Sequence, residues 1–154
     1  TTLKAKQTYE RKSDFEEAFK QRYLGIPLLH DGLIMNWCST PEFSFPIYKA
    51  RMDFGIGEPD VKFHAYWDAD ALQSSDPEVK LSYYTREKGV MLILVNFSDK
   101  KTDCAMTLPP AILSRIGAAG FLDPIARETI PVKNGGIVVP LAPQMYRMLT
   151  GQRD

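Results

Sequence analysis

The sequence predicts a mainly β protein, an antiparallel β-sandwich preceded by a short helix-strand-helix segment. Apolar residues in the first part of the chain recur at three- and four-residue spacing, which is typical of helices. From Phe63 onward they alternate every second residue, as in strands with one buried face. Short apolar runs separated by turn residues at close spacing are typical of a sandwich. We therefore expect two units, a helical segment at 1–60 and a sandwich domain at 61–154.

The composition indicates an ordinary globular chain with a neutral surface. Its 154 residues are 44% hydrophobic and 25% charged, which is enough to bury a core. With 19 basic and 19 acidic residues the net charge is zero, and no block of like charges occurs, which argues against a nucleic-acid or anionic-membrane partner. The longest apolar stretches, such as Val90–Val95, are far shorter than the roughly 20 residues that span a bilayer.

The two cysteines, Cys38 and Cys104, belong to no metal-ligand pattern, so we expect neither a metal nor a cofactor. Free thiols that act as small buried apolar groups are favoured, and a disulfide between the two is the open alternative.

The first helix should begin at a capping box, in which the Ser13 hydroxyl caps an early amide and Glu16 reaches back. Gly25 followed by Pro27 should end it. Its apolar stripe comprises Phe15, Ala18, Phe19 and Tyr23.

The run Ile26–Leu29 predicts a short buried strand that carries His30 and Asp31 at its C-terminal end. A second helix should then start with Thr40 as its cap and end at Gly55. Pro41 suits its first position and Pro46 shortens or bends it, and its apolar face is Phe43, Ile47, Ala50 and Phe54.

The second half contains a series of short strands. The run Val90–Phe97 is apolar at nearly every position and predicts a central strand covered on both faces. Asn134 and Gly135 predict a hairpin turn with positive φ. Further strands are expected at Val79–Tyr84, Cys104–Leu108, Gly120–Leu122, Ile137–Leu141 and Met145–Thr150.

Residues 63–70, FHAYWDAD, combine aromatic and acidic side chains that suit either a buried strand or a sugar platform. A period of two places Phe63 and Trp67 on one face, which we expect in the core or in an interface. The same period places His64 and Tyr66 on the more exposed face, where a ligand would be sought.

Four stretches resemble the C-terminal part of a multidomain glycoside hydrolase, in which a (β/α)-barrel is followed by a small all-β domain. They run from about Ile26 to the end of the chain and read IPLLHDG, FGIGEPDVKFHAYWD, VKLSYYTREKGVMLILVNFSDK and FLDPIARETIPVKNGGIVVPLAPQMYRML. The third is similar to a signature of the C-terminal domains of amylase-like enzymes.

The resemblance implies that residues 13–56 are the last barrel strand with a helix on either side. A complete barrel needs about 250 residues, so the chain would be a fragment or a degenerate remnant that lacks most of the catalytic machinery. The implied partner is the remainder of the glycoside hydrolase, in an extracytoplasmic compartment. The open alternative is a stand-alone domain whose helices pack on the sandwich.

The leading functional hypothesis is a non-catalytic accessory domain that stabilises the barrel, with no catalytic residue assigned. A carbohydrate-binding module is the rival, and a small glycosidase using Asp31 is a third hypothesis. The candidate carbohydrate-binding residues are His30, Asp31, Trp37, His64 and Tyr66. Each has an ordinary alternative, such as a turn at Asp31 or a Trp37 ring that fills a gap between helix and sheet. An isolated helical half should cover its apolar face against the sheet or through a homodimer.

Overall fold

The computed structural model describes residues 24–34, 41–117 and 120–153. The capping box, the first apolar stripe, Trp37, Cys38 and the Thr40 cap lie outside the described residues.

Residues 24–29 are helical and are labelled α1, so the strand predicted at Ile26–Leu29 is wrong, as is the helix end predicted at Gly25 and Pro27, which both lie inside α1. A run of four apolar residues fits a buried helix as well as a strand. Leu28 is fully buried whereas Ile26 is 50% exposed, which is the one-sided burial of a helix. The amides of His30 and Gly32 both donate to the Pro27 carbonyl, at 3.1 and 2.7 Å, and close the helix.

The second helix, α2, spans Pro41–Phe54 and has Pro46 inside it. It ends as predicted at Gly55, whose φ of 90° is the left-handed conformation of a helix C-terminus. The amide of Ile56 donates to the Arg51 carbonyl at 2.9 Å and closes the last turn. A third helix, α3, is the single turn Pro110–Leu113. In the described ranges no helix is long and apolar enough to cross a membrane.

The described residues form antiparallel sheets, which confirms the mainly β prediction. Six strands make a large sheet in the order β1-β2-β3-β8-β5-β6, and β4 pairs with β7 in a small one. The strands are β1 Lys62–His64, β2 Val79–Arg86, β3 Gly89–Asn96, β4 Thr102–Thr107, β5 Phe121–Asp123, β6 Glu128–Ile130, β7 Gly136–Leu141 and β8 Tyr146–Gln152.

The central strand predicted at Val90–Phe97 is confirmed as β3, in which every residue is buried. It lies between β2 and β8 in the large sheet. The turn before β7 is also confirmed, because Asn134 and Gly135 have φ values of 51° and 75° and Lys133 bridges to Gly136 across them.

Two hydrophobic cores lie on opposite faces of the large sheet. One lies between the two sheets and takes alternate β3 residues, Val90, Leu92 and Leu94, together with Cys104, Met106, Ile137, Val139 and Leu141 of the small sheet. The other lies between the large sheet and the helices. Its buried members are Leu24, Leu28, Leu29, Ile34, Ile47, Ala50, Phe54, Tyr84, Met91, Ile93, Val95 and Met148. The described helical residues therefore pack on the sheet.

Cys104 is a free, buried thiol in the first core, which confirms the favoured interpretation for this cysteine. Its Sγ lies 3.1 Å from the Ser74 hydroxyl. Burial raises the pKa of the thiol, and its hydrogen bond with Ser74 opposes this shift. The group therefore behaves as a small apolar side chain.

Candidate functional site

The structure brings two of the candidate residues together. The imidazole of His30, at the end of α1, contacts the Tyr66 ring with centroids 5.7 Å apart and planes at 90°. His64 belongs to a different ring pair, and Asp31 engages buried polar groups. Trp37 lies outside the described residues.

Trp67 joins His30 and Tyr66, and these three residues form the aromatic cluster. The Trp67 and His30 rings are 5.2 Å apart with an interplanar angle of 31°. The Trp67 and Tyr66 rings are 4.8 Å apart at 82°, an edge-to-face contact. Offset and edge-to-face geometries are the favourable arrangements of aromatic pairs. The three rings therefore support one another.

Trp67 is 57% exposed and belongs to neither hydrophobic core, so the core position is wrong, while the alternative of an interface stays a prediction. Strand β1 ends at His64, and residues 66 and 67 form a turn, so the period of two stops before Tyr66. Phe63 is half-buried and packs against the second core, in agreement with its predicted role. The turn thus ends the alternation of the two strand faces, and the indole of Trp67 is exposed.

The turn that carries the cluster is fixed by hydrogen bonds. The buried Ser82 hydroxyl accepts from the Tyr66 amide at 3.1 Å and donates to the Leu29 carbonyl at 2.8 Å. One side chain of the central sheet therefore ties the end of α1 to the turn. The Asp68 carboxylate accepts from the Ala65 amide at 2.9 Å, and the Asp68 amide donates to the Ala65 carbonyl at 3.0 Å.

Asp31 directly follows His30 of the aromatic cluster in the sequence and has a left-handed φ of 55°. Its carboxylate accepts from the Tyr84 hydroxyl at 2.5 Å and pairs with the Arg51 guanidinium at 3.1 Å. Burial raises the pKa of Tyr84, and its hydrogen bond to Asp31 adds to the shift. Nη1 of Arg51 is buried and has no hydrogen-bond partner within the part of the chain that the structure describes. The contacts with Tyr84 and Arg51 are both made by one carboxylate oxygen of Asp31, Oδ1.

His64 stacks on Tyr83 with ring centroids 4.4 Å apart and planes at 2°, and its Nε2 lies 2.9 Å from the Thr85 hydroxyl. Burial lowers the pKa of His64, and the charge of Lys62 lowers it further, while Asp70 and Asp68 oppose the shift. A stacked, hydrogen-bonded and half-buried imidazole is typical of a structural histidine.

An open groove lies along the small sheet, beside the start of α3. It has a volume of about 920 Å³ and runs along the small sheet and the segment before β2, lined by residues such as Leu72, Ser75, Ala105 and Val138. The Ser75 amide donates to the Ala105 carbonyl, and the Ser75 hydroxyl accepts from the Ala105 amide, both at 2.9 Å. The segment thus covers part of the open edge of β4.

Within residues 24–34, 41–117 and 120–153, no group of three or more histidine, cysteine, aspartate or glutamate side chains is placed to hold a metal ion. The acidic groups described there hold structure. Besides Asp31 and Asp68, the buried Asp123 accepts from the amides of Ile125 and Ala126 and pairs with Arg147 at 2.8 Å.

Trp67 is one of the aromatic residues that motivate the carbohydrate-binding hypothesis, but extending the strand alternation past His64 places it on the face opposite the predicted site residues His64 and Tyr66. Asp68 was the available signal, since an aspartate three residues after Ala65 can close a turn through the Ala65 amide, as it does here. A turn in that position ends the alternation and removes the reason to bury the indole.

Solved structures that the chain resembles include glycoside hydrolases. A GH30 endoxylanase from Clostridium papyrosolvens C71 matches with a TM-score of 0.52 and 17% identity, over 79% of this chain and 30% of that chain. An α-amylase from Anoxybacillus matches with a TM-score of 0.49 and 14% identity, over 78% of this chain and 24% of that chain. No protein-family model and no curated protein matches the sequence.

The match to the endoxylanase describes a shared fold over part of that enzyme. The chain spans less than a third of the endoxylanase and about a quarter of the α-amylase. At this identity the endoxylanase indicates how the chain folds, and function has to be argued from the residues.

Proposed function

We propose that the chain is a non-catalytic accessory domain from the C-terminal region of a glycoside hydrolase, and that it stabilises the catalytic barrel by packing against it. The observation that carries the proposal is the likeness to the GH30 endoxylanase, which covers most of this chain and a minor part of that enzyme. A fold of this size accounts for one domain of such a protein, with the rest of the length left for a barrel.

The helical side of the molecule offers the surface for that contact. Half of the large apolar side chains that are exposed among the described residues lie there, namely Ile26, Leu33, Phe45 and Met52, with exposures from 50% to 77%. Phe45 and Met52 are both on α2, on the side away from the buried Ile47 and Phe54. Exposed apolar side chains gathered on one side of a domain favour an interface.

Asp31 supports a structural role over a catalytic one. A glycosidase needs two carboxyl groups roughly 5 to 10 Å apart across the scissile bond. The Asp31 carboxylate instead accepts a hydrogen bond from the Tyr84 hydroxyl and pairs with the Arg51 guanidinium.

The test begins with the coding sequence upstream of Thr1. We expect a segment of about 250 residues with alternating strands and helices. In that longer protein, Phe45→Asp should lower the melting temperature of the barrel by several degrees, because it places a charge in the contact. Val138→Asp is the matched control, since Val138 is 56% exposed on the small sheet.

Equal melting temperatures for the two variants would contradict the proposed contact surface. A different upstream sequence, with no strand and helix alternation, would overturn the assignment to a glycoside hydrolase. Turnover of aryl glycosides by residues 1–154 alone, abolished by Asp31→Asn, would overturn the non-catalytic role.

A further inference from the structure

We propose that the aromatic cluster of His30, Tyr66 and Trp67 is a binding site for one pyranose ring of a neutral oligosaccharide. This site is separate from the accessory role, and either proposal can fail without the other.

The indole of Trp67 supplies the stacking surface. Two ring contacts hold it, one with His30 and one with Tyr66, while 57% of the residue stays exposed. An exposed tryptophan leaves a large apolar area in water, so its burial by a ligand is favourable. The C–H face of a pyranose is flat and weakly polar and matches such a surface.

The cluster is held in place before any ligand arrives. Ser82 fixes the backbone on both sides, through the Leu29 carbonyl and the Tyr66 amide. Asp68 closes the turn that carries Trp67. A ligand therefore meets an ordered surface, and less conformational entropy is lost on binding than with a mobile loop.

Polar atoms at the edge of the cluster suit hydroxyl groups. Nδ1 of His30 lies 2.8 Å from the Ile26 carbonyl oxygen, which can only accept, so Nδ1 donates and Nε2 of the neutral ring is an acceptor. His30 is exposed, and no bond to its Nε2 is formed by the described residues. A sugar hydroxyl can donate to this atom, while the indole N–H can donate to another hydroxyl.

The charges near the cluster favour a neutral ligand over a phosphorylated one. Asp31 follows His30, and Asp68 and Asp70 follow Trp67. The carboxylates of Asp68 and Asp70, which are close to Trp67 in the sequence, repel phosphate, which disfavours a nucleotide as the stacked ring.

A single stacking ring on an open surface predicts weak binding. We expect dissociation constants of about 1 mM for a hexasaccharide that fits. The probes are xylohexaose, cellohexaose, maltohexaose, laminarihexaose and mannohexaose, each added to the complete 154-residue chain. Binding is measured by isothermal titration calorimetry and by the two indole N–H signals in a nitrogen-proton correlation spectrum, with Trp37→Phe used to assign the Trp67 signal.

At least one probe should shift the Trp67 signal. Trp67→Ala should weaken the binding of that probe at least about tenfold, and His30→Ala several-fold. Phe45→Ala is the matched control, because Phe45 is 63% exposed on α2 and lies outside the cluster, and it should keep the affinity of the parent chain.

The proposal is overturned by any of three results. One is the absence of binding by every probe at about 10 mM. Another is binding that Trp67→Ala leaves unchanged. The third is tighter binding of a hexaproline peptide than of every sugar, which would make the cluster a peptide site. A thermal melt of Trp67→Ala tests whether the variant is folded. The indole N–H signal of Trp67 reports binding at the cluster in the unmutated chain, so the test does not depend on the variant alone.

Discussion

Ser82 is a buried hydroxyl whose removal leaves two backbone groups without a partner, the Leu29 carbonyl and the Tyr66 amide. We expect Ser82→Ala to lower the free energy of unfolding by about 1–3 kcal/mol, because buried unsatisfied groups lose their hydrogen bonds without gaining water. Urea denaturation followed by circular dichroism measures the change.

Ser114→Ala is the control for Ser82→Ala. Its hydroxyl also donates to a backbone carbonyl, that of Ala111 at 3.2 Å, but the bond is exposed to water. This variant should stay within about 0.5 kcal/mol of the parent. Similar losses for the two variants would show that Ser82 does not act as the tie between α1 and the turn.

His64 should make stability depend on pH, because burial and Lys62 lower its pKa from the ordinary value of 6.5. The unfolded chain binds a proton at a higher pH than the folded chain does. Stability from this group is therefore complete above pH 6.5 and is lost as the pH falls through that value toward the lower pKa of the folded state. Arg115 acts in the same direction as Lys62, while Asp70 and Asp68 reduce the effect.

Urea titrations at about pH 7.5 and about pH 5.5 measure this dependence. The unfolding free energy should fall at the lower pH, and His64→Gln should reduce the fall, because glutamine keeps a polar contact to Thr85 without titrating in this range. An equal fall in the two proteins would assign the pH dependence to other groups.

The residue before strand β5 is a glycine that the fold requires. Gly120 has a φ of 86°, and a Cβ there would lie 2.5 Å from the Ile130 carbonyl oxygen in the neighbouring strand β6. Gly57 has a φ of 100°, with no atom within 4 Å of such a Cβ. Both glycines have a positive φ, but only at Gly120 would an added Cβ collide with a neighbouring backbone atom.

Gly57→Ala should cost about 1–2 kcal/mol, from the positive φ alone. Gly120→Ala should cost at least about 1 kcal/mol more, since the β5 and β6 backbones must move apart. Thermal melts of both variants measure the difference. Equal losses would indicate that the β5–β6 pair relaxes around the methyl group.

A helix or strand can be predicted from the sequence when enough of its residues follow a single hydrophobic periodicity. Strand β3 is eight residues long and buried on both faces, so its position could be read from composition alone. Helix α1 could not, because the described run is too short to separate a period of 3.6 from one of 2 and its burial is decided by the sheet beneath it. The aromatic cluster depends on the same long-range packing, since Ser82 and Tyr66 are 16 residues apart and Ser82 and Leu29 are 53 apart.

The large sheet contributes residues to both hydrophobic cores. Alternate residues of β3 enter the core shared with the small sheet and the core shared with α1 and α2. Each face of that strand depends on a different layer for its burial. Loss of the helical layer would expose Tyr84, Met91, Ile93, Val95 and Met148. The two units predicted at 1–60 and 61–154 therefore share the second core, to which both contribute residues.

The dependence of the sheet on the helices can be tested with two variants of α1. Leu28 is fully buried in the second core, whereas Ile26 is 50% exposed on the same helix. We expect Leu28→Asp to lower the unfolding free energy by about 3 kcal/mol or more, because it buries an unpaired charge, and Ile26→Asp to change it by less than about 1 kcal/mol. Amide hydrogen exchange should show protection lost together in α1 and in β3. If Leu28→Asp opens α1 while the amides of Met91 and Ile93 keep their protection, the helical segment and the sheets fold as separate units.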